Sequence, residues 1–206
     1  MMKPGMNKIG KRMKNSFLDK IYKWSMSHKR YVFIVLILSF LFILYTEQIK
    51  TLIILLVFGL VATFTTTYKR FIRLPPVLEF ITLTTVLTTI FYGPITGIIY
   101  TIIVNITSEI ASGHPDEMIL TYIPSRTTTV LFTHFAYTLG LITNIVWLGI
   151  WSSVVFNAVQ QPLYMSLVDV EKRLKSLYFV LLNIPLNILI FKLFGSLLFA
   201  LMTAIV

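Results

Sequence analysis

The amino-acid sequence predicts an all-α integral membrane protein: a polytopic bundle of six or seven transmembrane helices behind an N-terminal basic amphipathic helix. Three observations predict it. The 206 residues are 56% hydrophobic and only 13% charged, with a mean hydropathy of +0.83, where a soluble domain carries about 25% charged residues. Apolar segments recur along the chain, punctuated by Pro, Gly and short polar stretches. Basic residues are confined largely to the N-terminal segment and to two loops, and the net charge is +10.

Nine of the 18 Lys and Arg fall in residues 1–30, against one acid, Asp19. There Met6, Ile9, Met13, Phe17, Ile21 and Trp24 recur at steps of three and four. Lys8, Lys11, Arg12, Lys14, Lys20 and Lys23 occupy much of the remaining surface. That pattern predicts a helix lying in the headgroup region, held by anionic lipid rather than by nucleic acid. A disordered basic tail is the plainer alternative. A secretory signal is not expected, because the basic region is long and no small-residue cleavage site follows.

Residues 31–206 form the predicted transmembrane domain, with spans near 31–45, 51–68, 77–92, 95–112, 124–140, 142–163 and 177–204. Crossing about 30 Å of hydrocarbon takes about 20 helical residues, so the first segment is short. Pro75, Pro76, Pro94, Pro124 and Gly140 mark boundaries. With seven spans and the N-terminus cytoplasmic, fifteen basic loop residues lie inside and only Lys50 outside. If the first segment does not cross, the split falls to ten against six. The predicted location is the cell membrane, multi-pass.

Function is expected where polar residues enter these spans, because charge at the centre of a span costs about 2.5–3.5 kcal/mol and so faces an interior or a cavity. Thr101, Asn105, Ser108, Glu109 and Ser112 form one stripe, and Glu79, Thr82, Thr85 and Thr89 another. The Gly93-Pro94 turn can bring the two stripes face to face. Such stripes also serve simple helix packing. Arg126, after Pro124 at an expected helix start, is a candidate to pair with Glu109, Asp116 or Glu117, to bind an anion, or to snorkel. Asn157 lies near Gln160 and Gln161, and Asn183 and Asn187 flank Pro185. These amides are expected either to satisfy the proline kink or to face the cavity of Glu109. The candidate ligand contacts are therefore Glu79, Asn105, Glu109, Arg126, Asn157, Asn183 and Asn187. His134 reads as an interior residue. Cysteine is absent, the motifs of metallohydrolases, phosphate loops and serine hydrolases are missing, and no cofactor, metal or catalytic residue is expected.

Four stretches resemble, in order, the substrate-binding S-components of energy-coupling-factor vitamin transporters. They are Leu74-Pro75-Pro76-Val77-Leu78-Glu79-Phe80, Phe91-Tyr92-Gly93-Pro94-Ile95-Thr96-Gly97, Ile123-Pro124-Ser125-Arg126 and Asn183-Ile184-Pro185-Leu186-Asn187-Ile188. The resemblance runs from Leu74 to about Met202. The shape-determining protein MreD and several sensor membrane domains have a similar glycine-proline hairpin. The resemblance implies a six-helix bundle binding a small solute for uptake, energised by a separate transmembrane coupling subunit and ATPases. The family's small-residue docking pair is not found in the first two segments, and seven spans would invert the matching helices. The alternative is a noncatalytic scaffold or subunit of a larger membrane assembly. A lipid enzyme using Glu109 and Arg126 is a third reading.

Overall fold

The computed structural model describes residues 24, 27–70, 79–113 and 118–206, all of them helix or short connection. The candidate lipid-surface residues Lys8, Lys11, Arg12, Lys14, Lys20 and Lys23 lie outside the described residues, as does most of the expected amphipathic helix. The chain divides into two compact units, Met1–Leu52 and Ile53–Val206.

The first unit contains α1 (Lys29–Leu44) and the start of α2 (Thr46–Thr66). Helix α1 is 16 residues long, or about 24 Å at 1.5 Å per residue, and so remains short for a bilayer. Only Tyr45 separates it from α2. The loop expected around Lys50 is therefore a helix, because Thr46-Glu47-Gln48-Ile49-Lys50 contains no breaker and Glu47 supplies a favourable acid in the first turn. Lys50 and Glu47 pair at 3.0 Å on that exposed surface.

The second unit holds the rest of α2, α3 (Ile81–Ser112), α4 (Met118–Thr138), α5 (Ile145–Leu167), α6 (Val170–Ile190), a π-helical turn at Phe191–Gly195 and α7 (Ser196–Ile205). Counted as continuous runs of helix, the described residues hold six rather than seven, because the expected segments 77–92 and 95–112 form one run, α3. That run is folded back on itself. Gly93 has φ 84° and ψ 171°, open to glycine and strained for other residues, and Pro94 follows it. Thr85 Oγ1 donates to Thr101 Oγ1 at 3.1 Å, although sixteen residues of straight helix would part them by about 24 Å. Gly97 sits so near the other arm that a Cβ there would lie 2.5 Å from Thr89 Oγ1. The arms 81–92 and 94–112 are thus antiparallel. The first, about 18 Å long, is too short to cross alone.

Other boundaries move for local reasons. Helix α4 starts at Met118 rather than 124, with Pro124 inside it. Asn144 caps α5, accepting from the backbone N–H of Val146 at 2.9 Å and of Trp147 at 3.2 Å. The last run begins at Val170, N-capped by Asp169, instead of 177.

Packing in this unit is inverted relative to a water-soluble protein. Among the described residues, 25 buried side chains are polar or charged and 20 are apolar, while Phe64, Ile95, Leu120, Leu139, Tyr178 and Leu197 are exposed. Three helical runs, Thr46–Thr66, Ile81–Ser112 and Val170–Ile205, are long and apolar enough to cross a membrane. One apolar cluster includes Phe58, Leu83, Leu87, Tyr100, Leu148 and Phe191. A second comprises Tyr122, Phe156, Tyr164, Val168 and Phe179.

Candidate functional site

Arg126 anchors the first of three groups of buried polar residues. The early start of α4 places it more than two turns inside the helix, where its side chain is fully buried. It neither snorkels nor sits at a helix start, correcting that expectation. Its partner is Glu79, just before α3: Arg126 Nη2 donates to Glu79 Oε1 at 2.6 Å. Arg126 Nη1 donates to Thr82 Oγ1 at 2.8 Å, and Thr82 donates to Glu79 Oε1 at 3.3 Å. The sequence offered Glu109, Asp116 and Glu117 as partners; the latter two lie outside the described residues. Glu79 is reached because α3 and α4 pack against each other. Phe156 of α5 lies beneath the guanidinium, 3.8 Å from its carbon to the ring centroid. A desolvated cation over an aromatic face contributes about 2 kcal/mol. The pair therefore ties α3, α4 and α5 together.

Asn105 and Glu109 lie on the inner face of the second arm of α3, 4% and 3% exposed. Asn105 Nδ2 donates to the Thr101 carbonyl at 2.6 Å and to Thr101 Oγ1 at 3.3 Å. It thereby continues the chain of bonds from Thr85 across the hairpin. Ser112 donates to the Glu109 carbonyl at 2.7 Å.

The third group joins α5 to α6. Asn157 Nδ2 donates to Asn183 Oδ1 at 2.9 Å and to the Ser153 carbonyl at 2.8 Å. Asn187 Nδ2 donates to the Asn183 carbonyl and Oδ1, at 3.0 and 3.2 Å. These bonds go to the Ser153 and Asn183 carbonyls and the Asn183 side chain, not to the Leu181 carbonyl that Pro185 leaves without its helix N–H. Ser176 of α6 donates to Gln161 Oε1.

Several interior polar atoms have no hydrogen-bond partner among the described residues: Ser108 Oγ, Arg126 Nε, Ser153 Oγ, Asn157 Oδ1, Asn183 Nδ2, Asn187 Oδ1, Gln161 Nε2 and both amide atoms of Gln160. Each such group, left unmet in an apolar medium, costs about 1–3 kcal/mol. Gln160 is fully buried and stands one turn beyond Phe156 on the same face of α5. Sequence reasoning noticed Gln160 but did not select it, and missed Phe156, which reads as one more apolar residue. The i, i+4 series Phe156, Gln160, Tyr164 was the available signal.

His134 is half-buried, edge-on to Phe135. Among the described residues, no three His, Asp or Glu side chains gather where a metal could be held. No family model matches the chain, and no curated protein or solved structure matches it.

Proposed function

We propose that this protein binds a small polar solute inside the membrane, serving uptake powered by a separate coupling subunit and ATPases, rather than transforming that solute itself. The observation that carries the reading is Gln160, fully buried with an amide donor and an acceptor both unpartnered. Apolar helices do not retain such a group for packing alone, since a leucine there would remove the desolvation cost. Asn105 and Glu109 on α3, and Asn157, Asn183 and Asn187 on α5 and α6, are further buried polar groups, and the pair of Glu79 and Arg126 ties α3 and α4 to α5 through Phe156. Native mass spectrometry of protein purified in mild detergent is expected to show a bound small molecule. Gln160→Leu is expected to reduce its occupancy about tenfold, the loss of one to two hydrogen bonds. A wild-type chain that carries no adduct under any extraction condition defeats the reading.

A second reading, a noncatalytic subunit of a larger membrane assembly, draws on α2. Only 17% of its apolar window is buried, and Phe64, Leu52, Leu56 and Leu60 are exposed along it. Defined protein partners crosslinked to α2 in native membranes, with no bound solute, would favour it.

The folded α3 makes a topological prediction. The chain has no cysteine, so Arg70→Cys, Leu141→Cys and Lys172→Cys can each be labelled without competing thiols. The two arms of α3 plus α4 and α5 lie between Arg70 and Lys172, so both are expected to react from one face and Leu141 from the other. A straight α3 would place Arg70 and Lys172 on opposite faces. Ser27→Cys reports the N-terminus in the same assay, and reaction from the cytoplasmic face is the expected outcome, given the basic residues around it.

A further inference from the structure

Arg126 and Gln160 approach one another from neighbouring helices. The hydroxyls of Thr133 on α4 and Ser152 on α5 pair at 2.8 Å, and Arg126 lies over Phe156. Moving along α5 from Ser152 to Phe156 thus moves the partner on α4 back from Thr133 to Arg126, so the two helices are antiparallel. One turn further, Gln160 comes to the level of Tyr122, whose ring stacks with that of Phe156 at 6.2 Å. Helical side chains lean toward the N-terminus of their own helix. Arg126 therefore leans along α4 toward Tyr122, and Gln160 leans back along α5 toward Phe156. Two long polar side chains converge in the seam between α4 and α5, both fully buried.

Neither is satisfied there. Arg126 Nη1 and Nη2 are taken by Thr82 and Glu79. Its Nε has no partner among the described residues, and neither amide atom of Gln160 has one. The unmet set is therefore two donors, Arg126 Nε and Gln160 Nε2, and one acceptor, Gln160 Oε1. What is unmet is hydrogen bonding and not charge. Glu79 already matches the guanidinium at 2.6 Å, and Glu109, the other buried carboxylate, has a contact of its own. A carboxylate or phosphate brought to Nε would lose its hydration beside a cation that is already neutralised.

We propose that the solute is uncharged and bridges Arg126 and Gln160. A carbonyl or hydroxyl oxygen of the solute accepts from Arg126 Nε and Gln160 Nε2, and an N–H or O–H beside it donates to Gln160 Oε1. Both side chains are fully enclosed in this structure, so the solute parts them on entry and is shut off from water once bound. This assignment rests on the reading of Gln160 as a solute-binding residue.

The convergence is tested without any solute. Glu79→Gln leaves the Arg126 charge unmatched and is expected to lower the melting temperature in detergent. Adding Gln160→Glu brings a carboxylate from the other side, which Arg126 Nε can meet, so the double variant is expected to melt above Glu79→Gln alone. A double variant that melts lower puts residue 160 out of reach of Arg126 and overturns the proposal. The solute is tested by releasing the adduct from purified wild-type protein and fragmenting it by mass spectrometry in both ion polarities. An uncharged compound with a carbonyl or hydroxyl oxygen beside an N–H or O–H is expected. Arg126→Lys keeps a cation for Glu79 but has no Nε–H, and is expected to lower adduct occupancy at least about tenfold, the worth of one hydrogen bond from a charged donor. An adduct bearing a carboxylate, phosphate or ammonium overturns the inference, as does full occupancy in Arg126→Lys; either result leaves the solute-binding reading standing. Wild-type protein without an adduct defeats that reading itself, and this inference with it.

Discussion

Glu79→Leu is expected to remove most of the stability of the bundle, about 3–5 kcal/mol, because it strands the fully buried guanidinium of Arg126 without its carboxylate. The hydrogen bond from Thr82 to Glu79 disappears with it, leaving Thr82 Oγ1 as the remaining polar contact of Arg126. Phe156 can offset only about 2 kcal/mol of that loss. Arg126→Leu strands the carboxylate instead and is expected to cost a similar amount. The double variant is the decisive one. With both charges gone, the site is two leucines among Thr82, Tyr122 and Phe156, and replacing a buried pair by apolar groups is often neutral. Thermal unfolding of the purified variants, followed by circular dichroism in detergent, is expected to show the double variant well above either single one. Single variants as stable as the double would mean that the pair is solvated and does not hold α3, α4 and α5 together.

How far this could be read from the sequence differs from residue to residue. The inward stripe of Thr101, Asn105, Ser108 and Glu109 was legible, because helical periodicity fixes which residues share a face. The reversal at Gly93-Pro94 was legible too, since a glycine before a proline is a poor helix interior. The partner of Arg126 was not. It depended on where α4 begins, and Pro124 suggested a start that Met118 overrules: a proline within a helix costs one hydrogen bond, which tertiary packing can absorb. A shift of six residues turned an interface arginine into an interior one. The run from α1 to α2 was misread in a similar way, because Glu47, Gln48 and Lys50 resemble a loop by polarity while being good helix formers. The isolation of Gln160 needed three dimensions, since whether an amide finds a partner depends on the neighbouring helix.

Gly149→Ala is expected to destabilise the fold even though alanine favours a helix over glycine by about 1 kcal/mol. A Cβ at position 149 would lie 2.1 Å from Cδ1 and Cε1 of Phe191 and 2.4 Å from its Cγ. That ring is fully buried in the apolar cluster, so it cannot swing aside into free space. Its position is set by the backbone. The chain widens from α6 into the π-helical turn Phe191–Gly195 there, and the Phe191 N–H donates to the carbonyls of both Asn187 and Ile188. The turn thus presents Phe191 to α5 at the one residue without a side chain. Overpacking of this kind costs about 1–3 kcal/mol, which exceeds the helix-propensity gain through most of that range. Phe191→Leu in the Gly149→Ala background is expected to recover part of the loss, because a smaller side chain makes room for the added methyl. The same leucine in the wild-type background is expected to destabilise by opening a void. That reversal of sign is read directly from melting temperatures of the four proteins. A Gly149→Ala variant that melts higher than the wild type would show α5 and the π-turn to be further apart than this packing requires.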